Sequence, residues 1–275
     1  MRADAWSYRQ RVAILIGLLV VGLAALFVLD PIPQDPNYHL FADGRAFFGI
    51  PNFNDVTSNV GFAVVGVLGV WAVARRHLFA QTPDARPYMI FFAGVALVSL
   101  GSAYYHWAPS NDRLLWDRLP MAVAFMAFCA ALVADRIDAR AGNGWLLPVL
   151  VVLGLLSLFY WSWTESLGRG DLRFYGFVQF YPAVLLPVIC WLFPEHRYTA
   201  GRYLVWVIAW YGLSKVLEVF DHAIFDGLGQ TVSGHTLKHL AAAVATYVVL
   251  RMLLMRRSSE RGAGGGAPRG GLLQE

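Results

Sequence analysis

Apolar residues in this chain come in long unbroken runs rather than in the alternation of a half-buried strand or the narrow stripe of a surface helix. The runs fall near residues 11–29, 56–74, 88–107, 114–134, 144–161, 172–192, 203–221 and 235–254. A helix rises 1.5 Å per residue, so runs of about 20 residues match the roughly 30 Å of a bilayer's hydrocarbon core. The pattern therefore predicts an all-α polytopic membrane protein with eight spans. Most connections are short. The exception is residues 31–55, where QDPNYHLFADGRAFFGIPNFND is rich in Asp, Asn, Pro and Gly and is expected to fold over the outer mouth of the bundle. No hydrophilic stretch is long enough for a second domain, and no internal repeat stands out. The expected divisions are an N-terminal transmembrane helix (1–30), the outer loop (31–55), the helical core (56–254) and a cytoplasmic tail (255–275). The tail ends in GAGGGAPRGGLLQE, which has too little apolar side chain to pack and is expected to be disordered.

Composition supports the membrane reading. Only 15% of residues are charged, against the quarter or so that a soluble domain uses to cover its surface. The net charge of +4 is split between the apolar runs and forms no patch for nucleic acid. Its placement sets orientation, because loops kept in the cytoplasm collect Lys and Arg. Fifteen arginines (2, 9, 11, 75, 76, 86, 136, 140, 197, 202, 251, 256, 257, 261 and 269) fall on one side and five (45, 113, 118, 169 and 173) on the other. Both termini are thus expected inside, as in a multi-pass protein of a bacterial inner (plasma) membrane. Arg9 and Arg11 before the first apolar run also suit a signal peptide, but the run is long and no clean small-residue cleavage site precedes Asp30. Cys129 and Cys190 lie within spans and suggest no structural disulfide.

Ionisable residues inside spans usually face the bundle interior and a partner. In SGHTLKHLAAA, His235 and His239 are four apart and share a helical face, with Ser233 or Gly234 as the helix start. Two such rings can clasp a metal, or they can simply hydrogen-bond neighbours at a wet helix end. GSAYYHWAP adds His106, with Ser102 one turn deeper on the same face. Three imidazoles leave one zinc position open for water. The Ser102 hydroxyl would either donate to charge developing on a substrate oxygen or bond a carbonyl three or four residues back. Asp117, in RLLWDRLPMAVAF, either carries a proton from water to a leaving group or pairs with Arg113 or Arg118. Pro120 reads as a first-turn proline that reports geometry. A second set, Lys215, Glu218, Asp221 and His222, divides in two. Lys215 and Glu218 are expected to neutralise each other, while Asp221 and His222 either support the ligand imidazoles or compensate charge. His39, His77 and His196 complete no outer cluster, although His39 sits in the loop over the mouth.

Taken together, Ser102-AYY-His106, Asp117 in LLWDRLPM and His235-TLK-His239 resemble the three signatures of the alkaline ceramidase group in the CREST membrane-hydrolase superfamily, and NFNDVTSN resembles the segment that opens that fold's first core helix. The resemblance covers roughly residues 50–254. It implies a seven-helix CREST-like core preceded by one additional N-terminal transmembrane helix. It also implies a zinc amidase that cuts the N-acyl bond of ceramide, with His106, His235 and His239 holding zinc, Ser102 supporting the oxyanion and Asp117 assisting proton transfer. Eukaryotic members also have an acidic calcium-binding segment, which this chain does not reproduce cleanly. Asp35, Asp43, Asn52, Asn54 and Asp55 are nevertheless oxygen donors of the kind Ca2+ prefers.

The expected function is a membrane amidohydrolase in which zinc-bound water attacks the carbonyl of ceramide or a related long-chain lipid amide held within the bilayer. One alternative is a seven-helix receptor-like zinc protein, but the short cytoplasmic loops offer no added signalling surface. The other is a metal-ion transporter, which would need a titratable path across the midplane, whereas the His and Asp residues gather at one side. Oligomeric state is not encoded in any of these features. The charge asymmetry makes a direct prediction: a cysteine at Gly229 should react with an impermeant thiol reagent from outside, and one at Gly142 only after permeabilisation. The opposite pattern would invert the whole assignment.

Overall fold

A computed structural model describes residues 6–257, apart from 76, 77, 196 and 199. His77, His196 and all but the first three residues of the expected tail therefore lie outside the described residues. The chain is an all-α polytopic membrane protein. Its helices are α1 (Tyr8–Val28), α2 (Phe53–Thr57), α3 (Val60–Ala74), α4 (Ala85–Trp107), α5 (Asn111–Arg136), α6 (Ala139–Asn143), α7 (Leu146–Ser166), α8 (Arg173–Leu192), α9 (Tyr203–Val219), α10 (Asp221–Gly227) and α11 (Gly234–Met255). Among the described residues, seven helices are long and apolar enough to cross a membrane, α2 and α3 counting as one, and α9 with α10 makes an eighth if that bent pair is one span.

The run near 203–221 is thus not a straight helix. α9 and α10 meet at 79°. The bend at Phe220 delivers Asp221, which is buried, to two backbone donors: its Oδ1 accepts from the His235 N–H at 2.7 Å and its Oδ2 from the Ala42 N–H at 3.0 Å. A carboxylate in the apolar body of a continuous span would lack such partners.

The bundle is held in two apolar layers. Phe62, Phe91, Phe92 and Phe128 lie at the junction of α3, α4 and α5, and Tyr105, Leu114, Leu158, Trp161 and Tyr175 pack where α4 and α5 meet α7 and α8. Outward positions such as Val64, Leu68, Trp71, Leu100 and Val152 are exposed and apolar, as a lipid-facing surface requires. Lipid gives helices little hydrophobic reason to associate, so close backbone approach must do so. At Gly101 of α4, a Cβ would stand 2.1 Å from the Trp116 carbonyl oxygen of α5. That carbonyl lacks its helical donor because the residue four positions on is Pro120, which has no N–H. Pro120 therefore acts inside α5, not in its first turn: α5 begins at Asn111, capped by Ser110. α1 packs on α8, with Trp6 edge-on to Trp191 at 5.7 Å, and the 18-residue stretch that qualifies it as a span has no buried residue.

Polar clasps close both ends. At one, Asp84 accepts from Asn143 (2.6 Å), Arg197 (2.8 Å) and the Tyr198 hydroxyl, while Arg256 lies over the Tyr198 ring at 4.0 Å. At the other, the Arg173 guanidinium holds the Asp171 carboxyl down to about 2 and also donates to the Leu29 carbonyl. The packing also revises one labelling site. A Cβ at Gly142 would stand 2.4 Å from the Ala134 backbone nitrogen, so a cysteine there would displace α6 from α5. Exposed Arg140 on the same short helix is the position at which a cysteine should label only after permeabilisation, with native folding retained.

Candidate metal centre

The start of α11 is fixed by four separate constraints. Ser233 caps it, its hydroxyl accepting from the Thr236 N–H at 3.0 Å, and Asp221 takes the His235 N–H. The Thr236 hydroxyl donates to Asp55 Oδ1 at 2.6 Å, and Gly234 has no Cβ where one would stand 2.3 Å from the Leu217 carbonyl oxygen. His235 and His239 are thereby set against α2 and the α9–α10 bend. On the opposing side the last turn of α4 is held by Asn52, whose side-chain N–H donates to the His106 carbonyl at 2.7 Å.

This arrangement brings His106, His235 and His239 together. Their ring centroids lie 4.8, 4.9 and 4.8 Å apart, and His106 Nε2 faces His235 Nε2 at 3.3 Å. One nitrogen from each ring falls within 4.8 Å of the other two, and all three residues are buried. Two nitrogens bound tetrahedrally to zinc at 2.0–2.1 Å sit about 3.3 Å apart, which is the His106–His235 spacing. His239 Nδ1 lies 2.8 Å from the Ser58 hydroxyl, leaving its Nε2 for the cluster, and His106 Nδ1 is buried with no partner. Three converging, buried imidazoles, one of them with an unpartnered ring nitrogen, are a donor set that fits a zinc-like divalent ion. The ring of Phe41 lies over them at 4.6 Å from His106 and 4.5 Å from His235, so the outer loop does cover the cluster.

Ser102 and Asp117 stand beside the cluster. They share the wall of a cavity of about 180 Å³ with His239. Neither arginine considered as a partner for Asp117 forms an ion pair with it. Arg113 donates to the Tyr104 carbonyl at 3.1 Å, and Arg118 projects among three aromatic rings. Adjacent positions on a helix do not face one another.

Some expectations are corrected. Asp221 supports His235 through its backbone, not its ring, and exposed His222 lies 3.2 Å from the Leu40 carbonyl. His39 has both ring nitrogens engaged, with Tyr105 Oη and Asn111 Oδ1, each at 2.9 Å. Nothing in the arrangement gathers the outer oxygen donors around a calcium ion, and several are engaged elsewhere. Both Asp43 oxygens bind Arg45 at 2.7 Å, Asn54 turns its N–H to Asp43, Asn52 serves the His106 carbonyl, Asp55 serves Thr236, and Asp35 caps Asn37. The Arg45 guanidinium supplies the positive charge that a cation would bring.

Lys238 was missed by the sequence reading. Its ammonium lies 3.2 Å from His235 Nε2 and donates to Glu218 at 2.7 Å, and Glu218 also accepts from Lys215 at 2.7 Å. The Lys215–Glu218 pair is as expected, but it is half of a larger cluster. The signal was present inside HTLKH, where Lys238 is three residues from His235 and so shares its side of the helix.

A family model described as Ceramidase matches residues 50–266, which is most of the chain and begins after α1. No curated protein matches the chain.

The geometry generates one prediction about how the helices set the site. Gly101→Ala adds a methyl group against the Trp116 carbonyl, beside Ser102 and Asp117. Overpacking of this kind costs about 1–3 kcal/mol. We expect a lowered melting temperature in detergent and a loss of activity larger than that of Gly176→Ala, where a Cβ meets nothing within 4 Å.

Proposed function

The chain belongs to the ceramidase family, and from that premise we propose that it is a zinc-dependent membrane amidohydrolase that cleaves the N-acyl bond of ceramide or a related long-chain lipid amide. The observation that carries this reading is the meeting of three buried imidazoles from two helices, one of which, His239, lines an apolar cavity together with Ser102 and Asp117. His106, His235 and His239 would hold the metal. When bound, zinc would polarise the amide carbonyl and make water nucleophilic at neutral pH.

The chain's own groups divide the remaining work. Cavity positions on α5 run from Asp117 to Leu132, about 22 Å at 1.5 Å per residue, and the deeper ones are apolar. An acyl chain lying along them leaves the amide at the histidine end. Asp117 accepts a proton there and returns it to the amide nitrogen, which is a poor leaving group until protonated. Ser102 donates a hydrogen bond to the carbonyl oxygen as it gains negative charge. Phe41 keeps bulk water from the imidazoles. By the charge asymmetry of the loops, this centre opens toward the outer face, with both termini cytoplasmic. The domain division at residues 30, 55 and 254 belongs to the same proposal.

Metal content, amide hydrolysis and two variants check the reading. Purified protein should contain about one zinc per chain by elemental analysis, and His235→Ala combined with His239→Ala should retain little; undiminished zinc in that double variant would rule out the pair. Incubation with ceramides, N-acyl amino acids and N-acyl ethanolamines should release fatty acid detectable by mass spectrometry. Ser102→Ala should lower turnover by about 10²–10³, the effect of removing one oxyanion donor. Asp117→Asn should lower it further, with zinc content and folded yield matching the native protein in both. Near-normal turnover of Asp117→Asn would return that residue to a structural role.

A further inference from the structure

Arg118 is a charge that the proposed chemistry leaves unused. It is buried, with 7% of its surface exposed, and lies in the cavity wall one residue beyond Asp117. Its guanidinium is packed among the rings of Tyr38, Trp161 and Tyr175, at 5.4, 4.8 and 5.0 Å from their centroids. Aromatic faces satisfy the flat sides of a guanidinium and leave its in-plane N–H groups to find acceptors. Arg118 forms no ion pair among the described residues, and its Nη1 is buried without a hydrogen-bond partner. The other cations of the wall, Lys215 and Lys238, share the single carboxylate of Glu218. Three cations thus face two carboxylates, Glu218 and Asp117, so the polar end of the cavity has positive charge in excess.

The planar, always-charged fork of arginine matches the two oxygens of a carboxylate. Building on the amidohydrolase reading, we propose that Arg118 recognises a carboxylate on the amine side of the scissile bond, so that the preferred substrates are anionic lipid amides of the N-acyl amino acid class. The apolar positions occupy the deep part of the cavity, and the acyl chain takes that part. The amide then lies by Ser102 and Asp117, and the group on its nitrogen side lies at the outer end with Arg118 and Tyr38. A neutral diol or hydroxyl head leaves the guanidinium unpaired, and an amine released there is repelled by it. A carboxylate completes its hydrogen bonds and cancels the excess charge.

N-palmitoylglycine and N-palmitoylethanolamine share the same acyl amide and differ in a carboxylate against a hydroxymethyl group, which isolates the interaction. Binding of each to the full-length, metal-free protein in detergent is measured by calorimetry, and their hydrolysis by the zinc-loaded protein is measured in parallel. We expect the glycine conjugate to bind at least about tenfold more tightly, as a charge-assisted bidentate contact should provide. In Arg118→Gln that preference should disappear with binding of the ethanolamide unchanged, and Arg118→Lys should keep part of it. Equal binding of the two amides by the native protein overturns the proposal without any variant having to fold, as does a preference that survives Arg118→Gln. Palmitate is the third ligand: if Arg118→Gln weakens palmitate binding alone, the carboxylate recognised is that of the released fatty acid and the substrate assignment falls. An Arg118-dependent binding preference with neither amide hydrolysed supports the anion site and removes the amidohydrolase reading.

Discussion

Glu218 stands in the wall of an apolar cavity with an ammonium group 2.7 Å away on either side, Lys215 from its own helix and Lys238 from α11. It compensates both ammonium groups, and a buried ion left without a partner loses more hydration than packing returns. The carboxylate also accepts from the Tyr38 hydroxyl at 3.3 Å, so the same atoms bind the outer loop to the bundle. Lys238 in turn touches His235. One anion therefore ties together α9, α11 and the loop that covers the imidazoles, three elements that are far apart in sequence. The bend after α9 belongs to the same economy of polar groups: it carries Asp221 out of the span to the first peptide N–H groups of α11.

Around that charge cluster the site is built largely by what is missing. Gly101 has no side chain where α4 meets α5, Pro120 has no N–H to occupy the carbonyl that faces it, and Gly234 has no side chain where α11 meets the bend. In lipid, where helices gain little from hiding apolar surface from one another, such close backbone contacts fix relative position more firmly than greasy side chains can. They place Ser102 opposite Asp117 and His106 opposite His235 without drawing on the functional groups themselves. The cavity that results is apolar along most of its length and polar at one end, which suits a molecule with a long hydrocarbon chain and one polar junction.

Much of this was legible along the chain. Seven of the eight apolar runs correspond to helices of spanning length, and the eighth to the bent pair α9–α10, because a membrane imposes a fixed length on whatever crosses it. Four-residue spacing placed His235 and His239 on one face, and Ser102 and His106 on another. Ser233 was readable as a cap because a hydroxyl before a helix meets its free N–H groups. Pattern alone misplaced the residues whose role depends on a partner from another element. Asp221 serves a backbone amide, not an imidazole, and Arg45 closes on Asp43 where oxygen ligands for calcium were considered. Pro120 lies inside its helix, because the Ser110 cap starts α5 at Asn111, nine residues before the proline.

The difference has a physical basis. Sequence by itself determined the quantities that depend on a residue and its near neighbours: hydropathy over a window, the side of a helix, a cap, the charge of a loop. Only the tertiary structure decided which charges meet, since the compensation of a buried group comes from residues such as Tyr38, Lys238 and Asp55 that lie up to some two hundred positions from the groups they serve. His106 acquires metal-ligating company only when α4 closes on α11, and Arg118 is left without a carboxylate only because α5 turns it toward aromatic rings of the outer loop, α7 and α8. A chain of letters records that these side chains are ionisable. Distance and burial, which set the energy of a charge in a low-dielectric bundle, exist only once the helices have packed.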